Sequence, residues 1–118
     1  MDIHTRYVTK DTMTPYQFIT ESEGTRNGFR HKCTLFRDGR EVISTSIHYL
    51  NRTWESYQYQ SVMRKAVGIL IEQELTRFRE NNHYPKRMSK AQKAEMETAF
   101  YTSDYGYGAE LKELREQL

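Results

Sequence analysis

The sequence has few of the residues that cross-link a chain, interrupt it or carry it through a membrane: it contains one cysteine and two prolines among 118 residues. A single cysteine excludes an internal disulfide framework and is typical of a reducing compartment. No window reaches the ~18 consecutive apolar residues of a membrane span, and Met1–His4 does not begin like a signal peptide. We therefore expect a single cytoplasmic domain with no membrane association.

Aliphatic residues are also scarce, and the mean hydropathy of -0.91 is unusually polar for a globular chain. Nine tyrosines partly replace them. A tyrosine buries a large ring while its hydroxyl stays available to water or a partner, which suits half-buried positions and interfaces. The net charge of +2 is too small to indicate nucleic-acid binding by itself. Composition thus predicts a globular fold without naming a partner.

Charge is distributed unevenly along the C-terminal half. The segment from 77 to 93 contains one acidic residue, Glu80, and these basic residues: Arg77, Arg79, Lys86, Arg87, Lys90 and Lys93. The segment from 95 to 118 is mostly acidic, through Glu95, Glu97, Asp104, Glu110, Glu113 and Glu116. A solvated basic turn followed by a solvated acidic helix explains this pattern, since runs of like charge usually face water. We favour that interpretation; the alternative is a basic edge that faces phosphates or an acidic protein, with an acidic tail that faces a basic partner.

The first third of the chain predicts strands. Asp2–Thr9 is weakly patterned and suits an edge strand. Thr14–Gln17 resembles a helical capping box, yet the alternation from Tyr16 to Glu21 favours a strand. A glycine-bearing turn from Gly24 to Gly28 follows.

A hairpin around Asp38–Gly39 is the clearest local motif. A two-residue loop would split the apolar residues over both faces, whereas a three-residue loop pairs Cys33 with Ile43. We favour the three-residue loop, which also pairs Phe29 with Ile47. It gathers on one face Phe29, Cys33, Leu35, Ile43, Ile47 and Tyr49. It leaves on the other face Arg30, Lys32, Thr34, Ser44, Ser46 and His48.

Apolar residues at helical spacing predict one long helix over about 56–80. Its apolar face contains Tyr59, Val62, Met63, Ala66, Val67, Leu70, Ile71, Leu75 and Phe78. Ser89 to Gln92 fits a capping box that begins a shorter helix, and 109–118 has the pattern of a last, charged helix. The sequence therefore predicts an α+β fold. A small antiparallel meander of three to four strands within 1–50 packs on the long helix, followed by one or two helices within 89–118, all in one domain.

No catalytic, metal or cofactor site is predicted. Cys33 and His31, two apart on a strand, share a face, but nothing around them resembles an oxyanion hole or a third orienting group. We interpret Cys33 as a core thiol. His31, Cys33 and His48 do not have the paired ligand spacing of a zinc site. The glycines lie in turns and form no phosphate-binding loop.

One segment resembles known proteins. It has the sequence Tyr49-Leu50-Asn51-Arg52-Thr53-Trp54-Glu55-Ser56-Tyr57, followed by Gln60-Ser61-Val62-Met63. This joint between strand and helix resembles small accessory proteins of phages and mobile elements in gut-type bacteria, over about Leu35 to Phe78. The resemblance implies a short cytoplasmic protein of a bacterial host cell that binds a nucleic-acid enzyme without catalysis, as anti-CRISPR proteins do. It supplies no catalytic residues.

We expect the chain to be a monomer or a homodimer joined through the long helix. Two hypotheses concern its binding partner. The first is a protein partner such as a CRISPR effector nuclease, whose basic channel would attract a mimic of nucleic acid. Its contact residues would be Glu95, Glu97, Tyr101, Asp104, Tyr105, Tyr107, Glu110 and Glu113. The alternative is a small DNA- or RNA-binding accessory protein. Its contact residues would be Arg77, Arg79, Lys86, Arg87, Lys90 and Lys93.

Overall fold

The computed structural model of the chain describes residues 6–50, 55–103 and 107–118. The strands in these ranges are β1 (Arg6–Met13), β2 (Tyr16–Thr25), β3 (Gly28–Arg37) and β4 (Arg40–Tyr49). The helices in these ranges are α1 (Tyr57–Asn81), α2 (Lys90–Thr102) and α3 (Gly108–Gln117). The strands pair antiparallel in the order β1-β2-β3-β4, which is a meander, and the long helix packs on the sheet. The predicted α+β fold is confirmed.

The chain divides into two compact units. The first, which we call the sheet unit, contains the four strands and α1 as far as Val67, together with Leu118. The second, the helical unit, contains α1 from Gly68 onward with α2 and α3. Each has its own buried side chains, so each can be described from its own residues.

Alternation along the strands builds the core of the sheet unit, because successive side chains point to opposite faces of a sheet. The buried strand residues are Tyr16, Phe18, Thr20, Ser22, Phe29, His31, Cys33, Leu35 and Ile43. The first half of α1 contributes Val62, Met63, Ala66 and Val67 to the same core. Each large apolar side chain buried here stabilises the fold by about 1.5–3 kcal/mol. The opposite face of the sheet carries the predicted polar residues, among which Arg30, Lys32, Ser44, Ser46 and His48 are exposed.

The β3–β4 hairpin turns through two residues, not three. Arg37 pairs with Arg40, and both turn residues, Asp38 and Gly39, have positive φ angles of 50° and 80°. Positive φ at both positions is the type I′ geometry that suits the twist of paired strands. Val42 then lies unmatched at a bulge between the Phe36–Glu41 and Leu35–Ile43 pairs.

The predicted hairpin pairing is therefore wrong, although the faces are right. In the structure Cys33 pairs with Thr45 instead of Ile43, and Phe29 pairs with Tyr49 instead of Ile47. The two-residue turn and the bulged Val42 together shift the partner of each β3 residue by two positions along β4, compared with the predicted loop. Because the side-chain period of a strand is two, the same residues still share the helix-facing side.

The first two strands also differ in detail from expectation. The segment from Tyr16 is a strand, as favoured over a helix, and β1 runs Arg6–Met13, later than the predicted edge strand. The β2–β3 connection is short, with Thr25 paired to Gly28. A Cβ atom at Gly28 would lie 1.8 Å from the carbonyl oxygen of Tyr49, so only glycine permits this close approach of the backbone.

Short helical segments build the helical unit. Ser89 caps α2 with a complete capping box: its hydroxyl accepts from the Gln92 amide at 3.2 Å, and the Gln92 side chain accepts from the Ser89 amide at 3.1 Å. This confirms the predicted start of the second helix. The buried apolar residues of this unit are Leu70, Ile71, Met96, Phe100, Leu111 and Leu114. Phe78 packs edge-on against Phe100, with ring centroids 5.6 Å apart.

Candidate binding surfaces

The basic residues predicted from sequence fall into two groups in the helical unit. Arg77 and Arg79 lie on α1 and are paired: Arg77 with Glu74 at 3.1 Å and Arg79 with Glu80 at 3.8 Å. The side chain of Arg79 is also largely covered, with 19% of its area exposed. These two cations are partly neutralised by local carboxylates.

The other four cations form what we call the basic segment: Lys86, Arg87, Lys90 and Lys93. All four side chains are exposed, and no ion pair joins any of them to a carboxylate within residues 6–50, 55–103 and 107–118. The sequence from Asn81 to Ala94 contains no acidic residue. The capping box begins α2 immediately before Lys90, which fixes Lys90 and Lys93 in its first turn.

The predicted acidic surface is less continuous. Glu95 and Glu113 are exposed, whereas Glu97 and Glu110 are half-buried. Glu95 and Glu97 are two positions apart on α2, and two helical steps of ~100° direct their side chains to different sides of the helix. The structure therefore does not bring these two carboxylates into one patch. Asp104 lies outside the described residues.

The predicted tyrosine anchors are partly used by the fold. The Tyr101 ring packs edge-on against Phe100 at 5.0 Å between centroids, and the Arg115 guanidinium lies 5.5 Å from its centre on the other helix. This contact joins α2 to α3, so Tyr101 is half-buried and structural. Tyr107 is half-buried as well, and its carbonyl accepts from the Leu111 amide at 2.7 Å. Tyr105 lies outside the described residues.

A buried polar relay crosses the sheet unit, and no local sequence motif predicts it. The Ser22 hydroxyl lies 2.5 Å from Nδ1 of His31, and Nε2 of His31 lies 2.6 Å from Oε1 of Gln58 on α1. The amide oxygen of Gln58 can only accept, so His31 carries its proton on Nε2 and accepts from Ser22 at Nδ1. The relay thus joins β2, β3 and α1 through the core.

Burial decides what this relay can do. His31 and Gln58 are fully buried, and Ser22 is 1% exposed. Desolvation lowers the pKa of His31 from its ordinary 6.5, while the hydrogen bond to Gln58 opposes that shift. Tyr59 packs edge-on against the imidazole at 5.2 Å. A hydroxyl that no substrate can reach is not a nucleophile, so the relay holds the helix on the sheet.

Cys33 is a core thiol, as predicted. It is fully buried, and desolvation raises its pKa to about 11, although a hydrogen bond to Thr20 acts in the opposite direction. Such a thiol is neutral at physiological pH and cannot act as a thiolate. Within the described residues, no group of three or more His, Cys, Asp or Glu side chains is placed to hold a metal ion. None of the described helices combines the length and apolarity needed to cross a membrane.

The sheet unit also has a groove beside its first strand. Thr9 and Asp11 of β1 form one wall, and Tyr59, Gln60 and Met63 of α1 form much of the other. The groove has a volume of about 460 Å³. Residues 7–13 of β1 are exposed or half-buried, whereas β2, β3 and β4 each contribute fully buried residues.

Comparison with known proteins gives no assignment. No protein-family model, no curated protein and no solved structure matches the chain. Function must therefore be argued from the surfaces themselves.

Proposed function

We propose that the chain is a non-catalytic binding protein of the bacterial cytoplasm that contacts nucleic acid through the basic segment. The observation that carries the proposal is the set of four exposed cations with no acidic neighbour from Asn81 to Ala94. Lysine and arginine side chains that face water without a carboxylate partner are free to neutralise phosphates.

The start of α2 also favours the binding of phosphate groups. A helix carries a partial positive charge at its N-terminus, and Lys90 and Lys93 lie in the first turn of a helix of 13 residues. Contacts from lysine and arginine to phosphates carry no sequence information. We therefore expect binding to the backbone, with little dependence on sequence.

Salt dependence tests this proposal directly. Four phosphate contacts predict a slope of about -3.6 for the logarithm of affinity against the logarithm of salt concentration on duplex DNA. Replacing Lys90 and Lys93 together by glutamine should reduce the magnitude of that slope by about 2. Lys112→Gln is the matched control, because Lys112 is an exposed lysine on α3 outside the segment. A slope near zero, or equal slopes for the double variant and the control, would refute the proposal.

A second function, inhibition of a CRISPR effector nuclease, is supported by two exposed carboxylates. Glu95 and Glu113 face water and have no ion pair with any described cation. A basic nucleic-acid channel attracts such groups. The resemblance of the strand–helix joint to phage accessory proteins supports the same hypothesis.

Its test is pull-down from a lysate that contains such a nuclease, with and without digestion of nucleic acid. A stoichiometric protein partner that survives digestion and is lost in the Glu95→Lys/Glu113→Lys variant supports inhibition. A partner that disappears on digestion supports the basic segment instead.

A further inference from the structure

The outer edge of β1 is not paired with any other strand of the described residues. β1 is the first strand in the sheet order, and among the described strands it pairs only with β2. Two of its adjacent side chains are large, apolar and exposed: Tyr7 at 54% and Val8 at 66%. An edge strand with unpaired backbone groups and apolar side chains is a template for another strand.

The opposite edge of the sheet, β4, is contacted by a lysine side chain of α1. Lys65 of α1 donates from Nζ to the carbonyl oxygen of Ser46 on β4, at 2.8 Å. A lysine at an edge opposes the addition of further strands, and β1 also has one exposed lysine, Lys10, whose position constrains how a second strand can pair with it.

We propose that two copies of this chain associate through their β1 strands, which pair antiparallel about a two-fold axis to form a continuous eight-stranded sheet. Such an axis stands perpendicular to the sheet, so helix-side residues of one copy face helix-side residues of the other. An odd-numbered residue must therefore lie opposite an odd-numbered residue of the other copy, and an even-numbered residue opposite an even-numbered one. At the two-fold axis, one residue lies opposite the same residue of the other copy.

Two registers pair the most residues of the strand, one centred on Thr9 and one on Lys10. Centring on Lys10 places the two Lys10 ammonium groups directly opposite each other, which is unfavourable. Centring on Thr9 pairs threonine with threonine, a favourable cross-strand pair, and places Tyr7 opposite the partner's Asp11. The charges of the strand thus select the register centred on Thr9.

The groove beside β1 fits the same register. Asp11 and Thr9 line it on the helix-side face of the strand. Pairing centred on Thr9 brings the partner's Tyr7 to that face, opposite Asp11 and over a groove of about 460 Å³. The exposed ring of each copy is then covered by the groove of the other. This interface differs from a dimer through the long helix, and it does not depend on nucleic-acid binding.

Light scattering over a range of concentrations tests the association itself. We expect the mean mass to rise from that of one copy toward that of two as concentration increases toward ~1 mM, where even a dissociation constant of ~1 mM leaves about half of the copies paired. The mass of a monomer throughout this range would overturn the proposal.

Charge variants test which edge is used. Tyr7→Glu places two pairs of like charges across the interface and should weaken the dimer about tenfold. Adding Asp11→Lys to Tyr7→Glu creates two opposite-charge pairs and should restore it. Ser44→Glu is the matched control, since Ser44 is exposed on β4 and the same charge there should change nothing. A dimer that Tyr7→Glu leaves intact would exclude the β1 edge.

Cross-linking tests the register. In a register centred on Thr9, the two Cα atoms of residue 9 lie about 4.5–5.5 Å apart, within the range of a disulfide. The two copies of residue 11 are offset by four positions, about 13 Å, and cannot be bridged. Thr9→Cys should therefore form a disulfide-linked dimer on oxidation, and Asp11→Cys should not. Buried Cys33 should contribute none in the unsubstituted chain. Equal cross-linking of both variants would refute the register.

Discussion

Replacing Gln58 by methionine is the sharpest test of how the sheet unit is held together. Gln58 is fully buried, and its amide oxygen accepts from Nε2 of His31 at 2.6 Å. Methionine has a similar length and shape but offers no comparable acceptor. The change leaves the imidazole N–H in a core from which water is excluded.

The expected cost follows from that orphaned donor. A buried polar group that loses its partner destabilises a protein by about 1–3 kcal/mol, more than the net value of an ordinary hydrogen bond. For a chain of this size, each kcal/mol corresponds to about 4 °C in Tm. We therefore expect Gln58→Met to lower the free energy of unfolding by about 2 kcal/mol and Tm by roughly 8 °C.

Urea and thermal unfolding at pH 8 measure this loss, with Gln60→Met as the control. Gln60 is exposed two residues later on the same helix, and its substitution should change the free energy of unfolding by less than ~0.5 kcal/mol. If Gln58→Met and Gln60→Met were equally stable, the imidazole would not depend on this acceptor, and the role assigned to the relay would be wrong.

The same relay predicts the direction of a pH effect. Burial lowers the pKa of His31 from 6.5, so the unfolded chain binds a proton more readily than the folded one as pH falls. The stability contributed by neutral His31 is complete above the unfolded pKa and decreases below it, by up to ~1.4 kcal/mol per pH unit. Imidazole nitrogen shifts followed by NMR through a pH titration should show that His31 becomes charged below the ordinary pKa of 6.5 and that the neutral ring is protonated on Nε2. A pKa at or above 6.5 would contradict the assignment.

Three further results are expected from the geometry. Gly28→Ala should prevent or strongly impair folding, because the new Cβ atom would meet the carbonyl oxygen of Tyr49. At Gly68 a Cβ atom would have no neighbour within 4 Å, so Gly68→Ala should stabilise the helix by about 0.5–1 kcal/mol, as measured by thermal unfolding. Cys33 should resist alkylation at pH 8 until the chain is denatured, since it is buried and its pKa is raised to about 11. Ser89→Ala should reduce the free energy of unfolding by about 1 kcal/mol through loss of the α2 cap.

Local patterns in the sequence predicted most of the fold. The helical spacing of apolar residues placed α1 within one residue of its observed bounds, and Ser89 identified the start of α2. The hairpin pairing failed because Val42 is bulged, and nothing in a run of strand-forming residues marks which one is left unmatched. The face of the sheet on which a side chain lies depends only on whether the pairing is shifted by an even or an odd number of residues. An error of two residues therefore leaves the predicted faces correct and makes the predicted residue pairs wrong.

The relay was hidden for a different reason. Ser22, His31 and Gln58 are far apart in the chain, and serine and glutamine usually lie at the surface. Their contact depends on the β2–β3 pairing, which places Ser22 opposite His31, and on the rotation of α1, which no local pattern specifies. In the structure, Ser22 and His31 lie on the same side of their strands as the buried apolar residues, as strand alternation requires. Two polar residues at such positions are the one available sign of a buried hydrogen-bonded group.

The run of basic residues is visible in the sequence, but only the structure shows which of these cations are paired with carboxylates and which are not. Arg77 and Arg79 belong to the same charge run as Lys90, yet each has a carboxylate within reach on α1. Spacing along the helix allowed these pairs without requiring them, because exposed ion pairs contribute only ~0–1 kcal/mol. The four cations of the basic segment differ from Arg77 and Arg79 because they are exposed and form no ion pair with a described carboxylate.

The two proposed surfaces also predict a dependence on the length of the nucleic acid. Two copies joined at β1 would present two basic segments in one particle, and a second contact on the same molecule is favoured by its high effective concentration. A long duplex would then bind the dimer more tightly than a short one, while Tyr7→Glu would remove that advantage and leave affinity for the short duplex unchanged. If the variant lost affinity for both equally, Tyr7 would belong to the nucleic-acid surface instead of the interface between copies.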